Sequence, residues 1–312
     1  MGCMSQNASD LSVLRRALLD GAFLLSAPEL GTIVVSGKDR QTWLNGIATC
    51  DLAPLKAGQG AFGLAVSKTG KVLSPLYVLL EEQQLLIGAP RDLVEGLISH
   101  FDRYVIMEDV ELEDASGRVS WAFAHGPASK ELPSLARAHG AIAASAVDTS
   151  GKGGALFAFE TANADGTLRR LEKPSKMVVV GDDAAWEVLR VEIGCPRWGV
   201  DFTDENYPQE ASIETLAVSF QKGCYLGQEA VFMLQNRGHV KKRLMPLSVT
   251  GDEPIPPGAS IQLPDGTSVG AITSVTKSPN EPSLFAIGFV KYKHAVAGTS
   301  LLVAGRPAVV LG

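Results

Sequence analysis

Cys224 stands two residues after Lys222 in the run Lys222-Gly223-Cys224-Tyr225-Leu226-Gly227-Gln228-Glu229, and a thiol in that company can do chemistry. Gly227 breaks the extended stretch. Gln228 and Glu229 then open a helix-competent run, Ala230-Val231-Phe232-Met233-Leu234-Gln235. An ammonium group on one side and a helix N-terminus on the other both favour thiolate over thiol. Such a sulfur is a nucleophile or a ligand for a soft metal. The competing reading is a small cysteine buried at a strand end, the usual fate of that residue. Local physics leaves both open.

A second constellation lies near residue 190. Gly194 and Pro196 stop a helix predicted over 183–194, whose apolar face carries Trp186, Leu189 and Ile193. Arg190 and Glu192 fall near its C-terminal turn, where they can face a cavity. A carboxylate accepts two hydrogen bonds from an aminopyrimidine edge such as that of a pterin, and a tryptophan stacks on such a ring. The same residues also read as a core tryptophan and two surface charges.

Other motifs carry less. Gly58-Gln59-Gly60-Ala61-Phe62-Gly63 spells GxGxxG, but a strand follows it where a dinucleotide site needs a helix, so the glycines read as close-packing positions. No P-loop and no GxSxG elbow occur. Cys3, Cys50, Cys195 and Cys224 include no CxxC pair and the five histidines no HExxH, which argues against a protein-only zinc site. Sparse, unpaired cysteines suit the reducing cytoplasm.

With 312 residues, 46% apolar and 20% charged, the chain can fill two or three domains. A net charge of −6 argues against a broadly basic nucleic-acid surface. Lys241-Lys242-Arg243 is the only compact basic cluster, read as an exposed strand rim. The first ten residues show no secretory pattern, and no apolar run approaches bilayer length, so no membrane partner is expected.

The elements predicted to hold these residues alternate. A short helix at 11–19 follows a disordered tail at 1–10. A strand at 32–35 turns at Gly37 into a helix with Trp43 and Leu44. Strands at 60–66 and 72–80 flank Lys68-Thr69-Gly70, and a helix spans 90–102. Strands follow near 105–112 and 118–124. Residues 145–175 read as hairpin tips or a domain edge. From about 245 short strands punctuated by Gly and Pro predict a small β-barrel. The fold class is α+β, divided as 11–140, 141–244 and 245–312.

Three blocks in this order resemble the YgfZ branch of the YgfZ/GcvT family. They are Val35-Ser36-Gly37-Lys38-Asp39-Arg40 through Thr49-Cys50-Asp51; Arg190-Val191-Glu192-Ile193-Gly194-Cys195-Pro196 through Asn206-Tyr207-Pro208-Gln209-Glu210-Ala211; and Lys222–Glu229 with Gly238-His239-Val240-Lys241-Lys242-Arg243. The resemblance implies three domains in a ring around a central folate-sized channel, tetrahydrofolate binding, and a role in assembling or repairing iron–sulfur proteins, tRNA-modifying enzymes among them. It makes Lys222, Gly223, Cys224, Tyr225, Gly227, Gln228 and Glu229 the signature, and Glu192 the pterin carboxylate with Arg190 and Trp186 beside it. Cys224, its pKa lowered by Lys222, becomes the functional thiol and a transient ligand for an iron–sulfur cluster. The expected partners are folate and iron–sulfur clients or assembly proteins, without direct nucleic-acid binding. Where the aminomethyltransferases of the family carry paired aspartates, this chain has Ser74-Pro75, which weakens the reading as an aminomethyl- or methyltransferase. The chain then reads as other than a conventional enzyme. Cys50 stands where an asparagine is common. A non-catalytic scaffold is the remaining alternative.

Overall fold

The computed structural model describes residues 4–172, 177–236, 238–279 and 281–312, with side chains from residue 11 onward except Asp165. In chain order the elements are α1 (Met4–Asp20), β1 (Ala22–Ala27), β2 (Leu30–Ser36), α2 (Arg40–Asn45), β3 (Gly60–Val66), β4 (Val72–Leu80), β5 (Leu85–Pro90), α3 (Val94–Asp102), β6 (Glu111–Asp114), β7 (Val119–His125), α4 (Leu132–Ala138), β8 (Ala141–Ser145), β9 (Gly154–Glu160), α5 (Ala164–Glu172), β10 (Val178–Val180), α6 (Asp183–Glu192), α7 (Glu214–Ala217), α8 (Gln228–Asn236), β11 (Lys242–Thr250), β12 (Ser260–Gln262), β13 (Ser268–Lys277), β14 (Ser283–Lys291), β15 (Ser300–Val303) and β16 (Arg306–Val310). Contacts divide the chain into two units, one of Met1–Val66, Ser74–Trp186 and Leu216–Leu226, the other of Ser67–Leu73, Glu187–Thr215 and Gly227–Gly312.

The first unit holds two five-stranded sheets, ordered β10-β1-β7-β9-β8 and β3-β4-β5-β2-β6. Leu132 and Ala136 of α4 and Leu168 and Leu171 of α5 pack with Leu24, Phe157 and Phe159 from one face of the first sheet. From its other face Trp121 meets the second sheet. Its indole N–H donates to Thr32 Oγ1 at 2.8 Å, and Gly88 leaves room for the ring, since a Cβ there would lie 2.9 Å from it. The first sheet draws strands from both sides of residue 140, where the sequence analysis set a domain boundary. In the second unit six strands close a barrel, β11-β14-β13-β12-β15-β16, around Leu247, Val249, Ile261, Ile272, Val290 and Val303.

Three sequence expectations are corrected. The first helix starts at Met4 rather than at residue 11, so 4–10 are helical and not a disordered tail; adding turns to an existing helix costs little. Residues 1–3, with Cys3, lie outside the described residues. The strand expected at 105–112 is confined to Glu111–Asp114, because the Glu108 carboxylate accepts the amides of Ile106 at 2.9 Å and Met107 at 3.0 Å and turns the chain. Residues 145–175 are no mere edge: β9 lies between β7 and β8, with α5 after it. The glycines of the GxGxxG run do permit close packing. A Cβ on Gly60 would meet Val78 O at 2.5 Å, and one on Gly63 would meet Cys50 Sγ at 2.5 Å.

Candidate functional site

The signature loop is fastened to the end of α2. That helix is anchored by Trp43, whose indole donates to Tyr104 O at 3.0 Å, and by Gln41, whose amide reaches the carbonyls of Leu52 and Leu55. Beyond Asn45 the backbone turns, and three carbonyls converge on one cation. Lys222 Nζ donates to the carbonyls of Asn45 at 2.6 Å, Ala48 at 2.9 Å and Cys50 at 2.6 Å. Two further clasps flank it. Thr49 Oγ1 donates to Ala217 O at 2.6 Å and accepts the Leu64 amide, and Leu226 N donates to Gly46 O at 3.0 Å. The first and third sequence blocks therefore form one buried network, across some 170 residues of chain.

This network changes the role expected of Lys222. A lysine ammonium has three donors, and all three are taken by carbonyls, so none is left for the Cys224 sulfur. Burial lowers its pKa from the ordinary lysine value, with Cys50 and Asp51 acting in the opposite direction. Tyr225 packs under the same cation, its ring centroid 5.2 Å from Nζ. Burial pushes the Tyr225 phenol up to about 12.

Cys224 itself is exposed. Gly223 beside it has open space where a Cβ would stand and no positive φ, so nothing local to the fold demands glycine there. Two residues on, Leu226 lines a cleft of about 640 Å³ with Asp39, Thr42, Trp43, Gly46, Ile47, Tyr104, Met107 and Glu108. Cys50 is the opposite kind of thiol. It is buried against Gly63, and desolvation pushes its pKa up to about 11. The remaining signature residues, Gly227, Gln228 and Glu229, belong to the second unit. Gly227 needs its φ of +78°, and Gln228 and Glu229 open α8 as predicted.

The Tyr225 hydroxyl is buried with no hydrogen-bond partner among the described residues. Tyr225→Phe should therefore leave stability unchanged or raise it by about 1 kcal/mol, since an unpaired buried hydroxyl costs roughly that much. A urea midpoint falling by the equivalent of more than about 1 kcal/mol would mean the hydroxyl is already satisfied.

Two of the residues expected around a pterin are taken up by other partners. Trp186 is in the core of the first unit, its ring 4.0 Å from and parallel to that of His125 and stacked on Phe23. Burial holds His125 at about 4, as a neutral ring. Arg190 is 1% exposed, and its five N–H donors reach both Glu187 carboxylate oxygens, Asp201 Oδ2, Cys195 O and Ser274 Oγ. Neither side chain is free to hold a ligand, which corrects both expectations. Glu192, the last residue of α6, is half-buried. Among the described residues no group of three or more His, Cys, Asp or Glu converges as a metal site. Asn45, Thr49 and Tyr104 are the site residues that sequence reasoning missed, and only long-range contact reveals them.

Residues 241–311 match the family model of the CAF17 C-terminal beta-barrel domain. The "Putative transferase At1g60990, chloroplastic" of Arabidopsis thaliana is 25% identical over 311 residues, covering 91% of this chain and 68% of the relative. The "tRNA-modifying protein YgfZ" of Photobacterium profundum is 24% identical, covering 73% of this chain and 70% of its own, and that of Vibrio vulnificus is 26% identical, covering 75% and 72%. Among solved structures, the glycine cleavage system aminomethyltransferase T of Bartonella henselae superposes with a TM-score of 0.77 at 19% identity, over 96% of this chain and 88% of that one. The fold is thus the aminomethyltransferase T type with a closed C-terminal barrel. The C-terminal barrel matches the CAF17 barrel model, and most of the chain is similar in sequence to YgfZ proteins.

Proposed function

We propose that this protein is a tetrahydrofolate-binding factor of the YgfZ branch, acting in the cytoplasm to assist assembly or repair of iron–sulfur proteins, tRNA-modifying enzymes among its clients. The observation that carries the reading is the exposed Cys224 on a loop held rigid by Lys222 and Leu226. A thiol fixed at a surface but open to a partner is suited to meet a cluster in transit. One sulfur cannot complete a cluster's ligand set, so the other ligands come from the client or the donor. On ligation the Cys224 proton passes to solvent. The names of the bacterial relatives agree with clients in tRNA modification.

For the folate, the acceptor that fits is the Glu192 carboxylate. A half-buried carboxylate at a helix C-terminus accepts two hydrogen bonds from an aminopyrimidine. Tetrahydrofolate when bound supplies that edge on a reduced pterin. The transferase reading needs an acid–base group at Ser74, whose buried hydroxyl instead donates to Pro75 O at 2.8 Å. A turnover assay with folate and candidate amines separates the two readings.

Two measurements test the proposal together. Glu192→Ala should weaken tetrahydrofolate binding roughly tenfold or more in calorimetry, as expected for a lost charge-assisted bidentate contact. In cells lacking the protein, Cys224→Ser should fail to restore iron–sulfur-dependent tRNA modification, while Cys195→Ala restores it. Unchanged folate affinity removes Glu192 from the pocket, and full rescue by Cys224→Ser removes the thiol from the function.

A further inference from the structure

The only compact basic cluster in the sequence, Lys241-Lys242-Arg243, acquires a second half when the barrel closes. β11 pairs with β14 so that Lys242 stands opposite Lys291, and Tyr292 N donates to Lys241 O at 2.9 Å. Lys293 and His294 follow in the same turn. Four lysines, 241, 242, 291 and 293, thus gather at one edge of a protein whose net charge is −6. Among the described residues none of the four is ion-paired, whereas the neighbouring Arg243 is spent on Glu214 at 2.6 Å. Asp265 lies within electrostatic reach of His294. The Lys291 ammonium donates to the Ser268 carbonyl at 3.0 Å, a neutral partner that leaves its charge in place, and a basic cluster of this kind suits a polyanion.

Aromatic surface accompanies the charge. The exposed Tyr292 ring stacks on that of the exposed His239, centroids 4.6 Å apart and planes 23° from parallel. Lys242 Nζ sits 3.9 Å from the Phe289 ring centroid, a cation–π contact on the same strand pair. Lysines beside an exposed π-face are what a flexible polynucleotide uses: phosphates meet the ammonium groups and a splayed base extends the stack. An acidic peptide would use the charge but leave the rings idle.

We propose that this barrel edge binds single-stranded nucleic acid, through backbone charge and one stacked base, without sequence preference. The inference does not rest on Cys224 or on folate, and it reverses the expectation from overall charge that nucleic acid is not a partner.

The test uses the full chain and a labelled oligouridine of about twelve residues, followed by fluorescence anisotropy. Binding should fall with salt at a log–log slope of about −2, as for three phosphate contacts on a single strand. The triple variant Lys241→Gln/Lys291→Gln/Lys293→Gln should flatten that slope. Tyr292→Ala should lose on the order of tenfold in affinity. Lys277→Gln, an exposed lysine elsewhere on the barrel, should change neither. Unfolding midpoints check that each variant is folded. The proposal is overturned if oligouridine does not bind, if Tyr292→Ala binds like wild type, or if polyglutamate or phosphatidylglycerol vesicles bind as tightly as the oligonucleotide.

Discussion

Replacing Lys222 by methionine should cost the first unit about 3 kcal/mol or more, a large share of the roughly 5–15 kcal/mol that holds a domain folded. Two effects oppose one another. Burying an ammonium group is unfavourable, as its lowered pKa records, and swapping a buried charge for hydrocarbon is often neutral. Here, however, the partners are backbone carbonyls, which no side-chain substitution removes. Methionine leaves the carbonyls of Asn45, Ala48 and Cys50 facing one another without the donor that joined them. Each unsatisfied buried acceptor costs about 1–3 kcal/mol, so three outweigh the desolvation relieved. Arginine should not rescue, because a planar fork cannot aim three bonds at one convergent point. The check is hydrogen exchange at amides 44–52 and 216–226 with urea unfolding alongside. A variant within about 0.5 kcal/mol of wild type would show that the carbonyls find other donors.

That outcome also bears on how far the sequence could be read. The helix after Gly227 and the barrel were legible because their signals are local: a left-handed glycine before an apolar run, and short strands with turn residues between them. The partner of Lys222 was not legible, because its acceptors are main-chain atoms far away in sequence that any side chains could provide. Proximity along the chain pointed from Lys222 to Cys224, while the fold sends the ammonium elsewhere. Arg190 misled for a related reason. Near a helix C-terminus it read as surface or cavity charge, and only Asp201 and Ser274, brought in by a loop and by β13, show it to be interior. The β9 segment was misjudged because its Gly-rich flanks mark the turn at Asp148, not the strand between.

Arg190→Met is expected to be the more damaging substitution in the second unit, with a loss of about 3–5 kcal/mol. Asp201 explains why. Its side chain is fully buried, its Oδ2 meets Arg190 Nη1 at 2.6 Å and the Arg197 amide at 2.9 Å, and its Oδ1 accepts Thr273 Oγ1 and Ser274 Oγ. Burial alone would lower the Arg190 pKa, but Glu187 and Asp201 together hold it above the ordinary arginine value. Without the guanidinium, the Asp201 carboxylate is left in a dry site with its counter-ion gone. Adding Asp201→Asn should therefore recover much of the loss at neutral pH, a coupling of about 1–3 kcal/mol in a double-mutant cycle. Additive losses, or a single-variant loss below about 1 kcal/mol, would mean the ion pair is not what ties α6 to β13. The same variant separates structure from ligand contact. With all its donors committed, Arg190 should leave tetrahydrofolate affinity unchanged when binding is measured well below the unfolding transition, whereas Glu192→Ala should not.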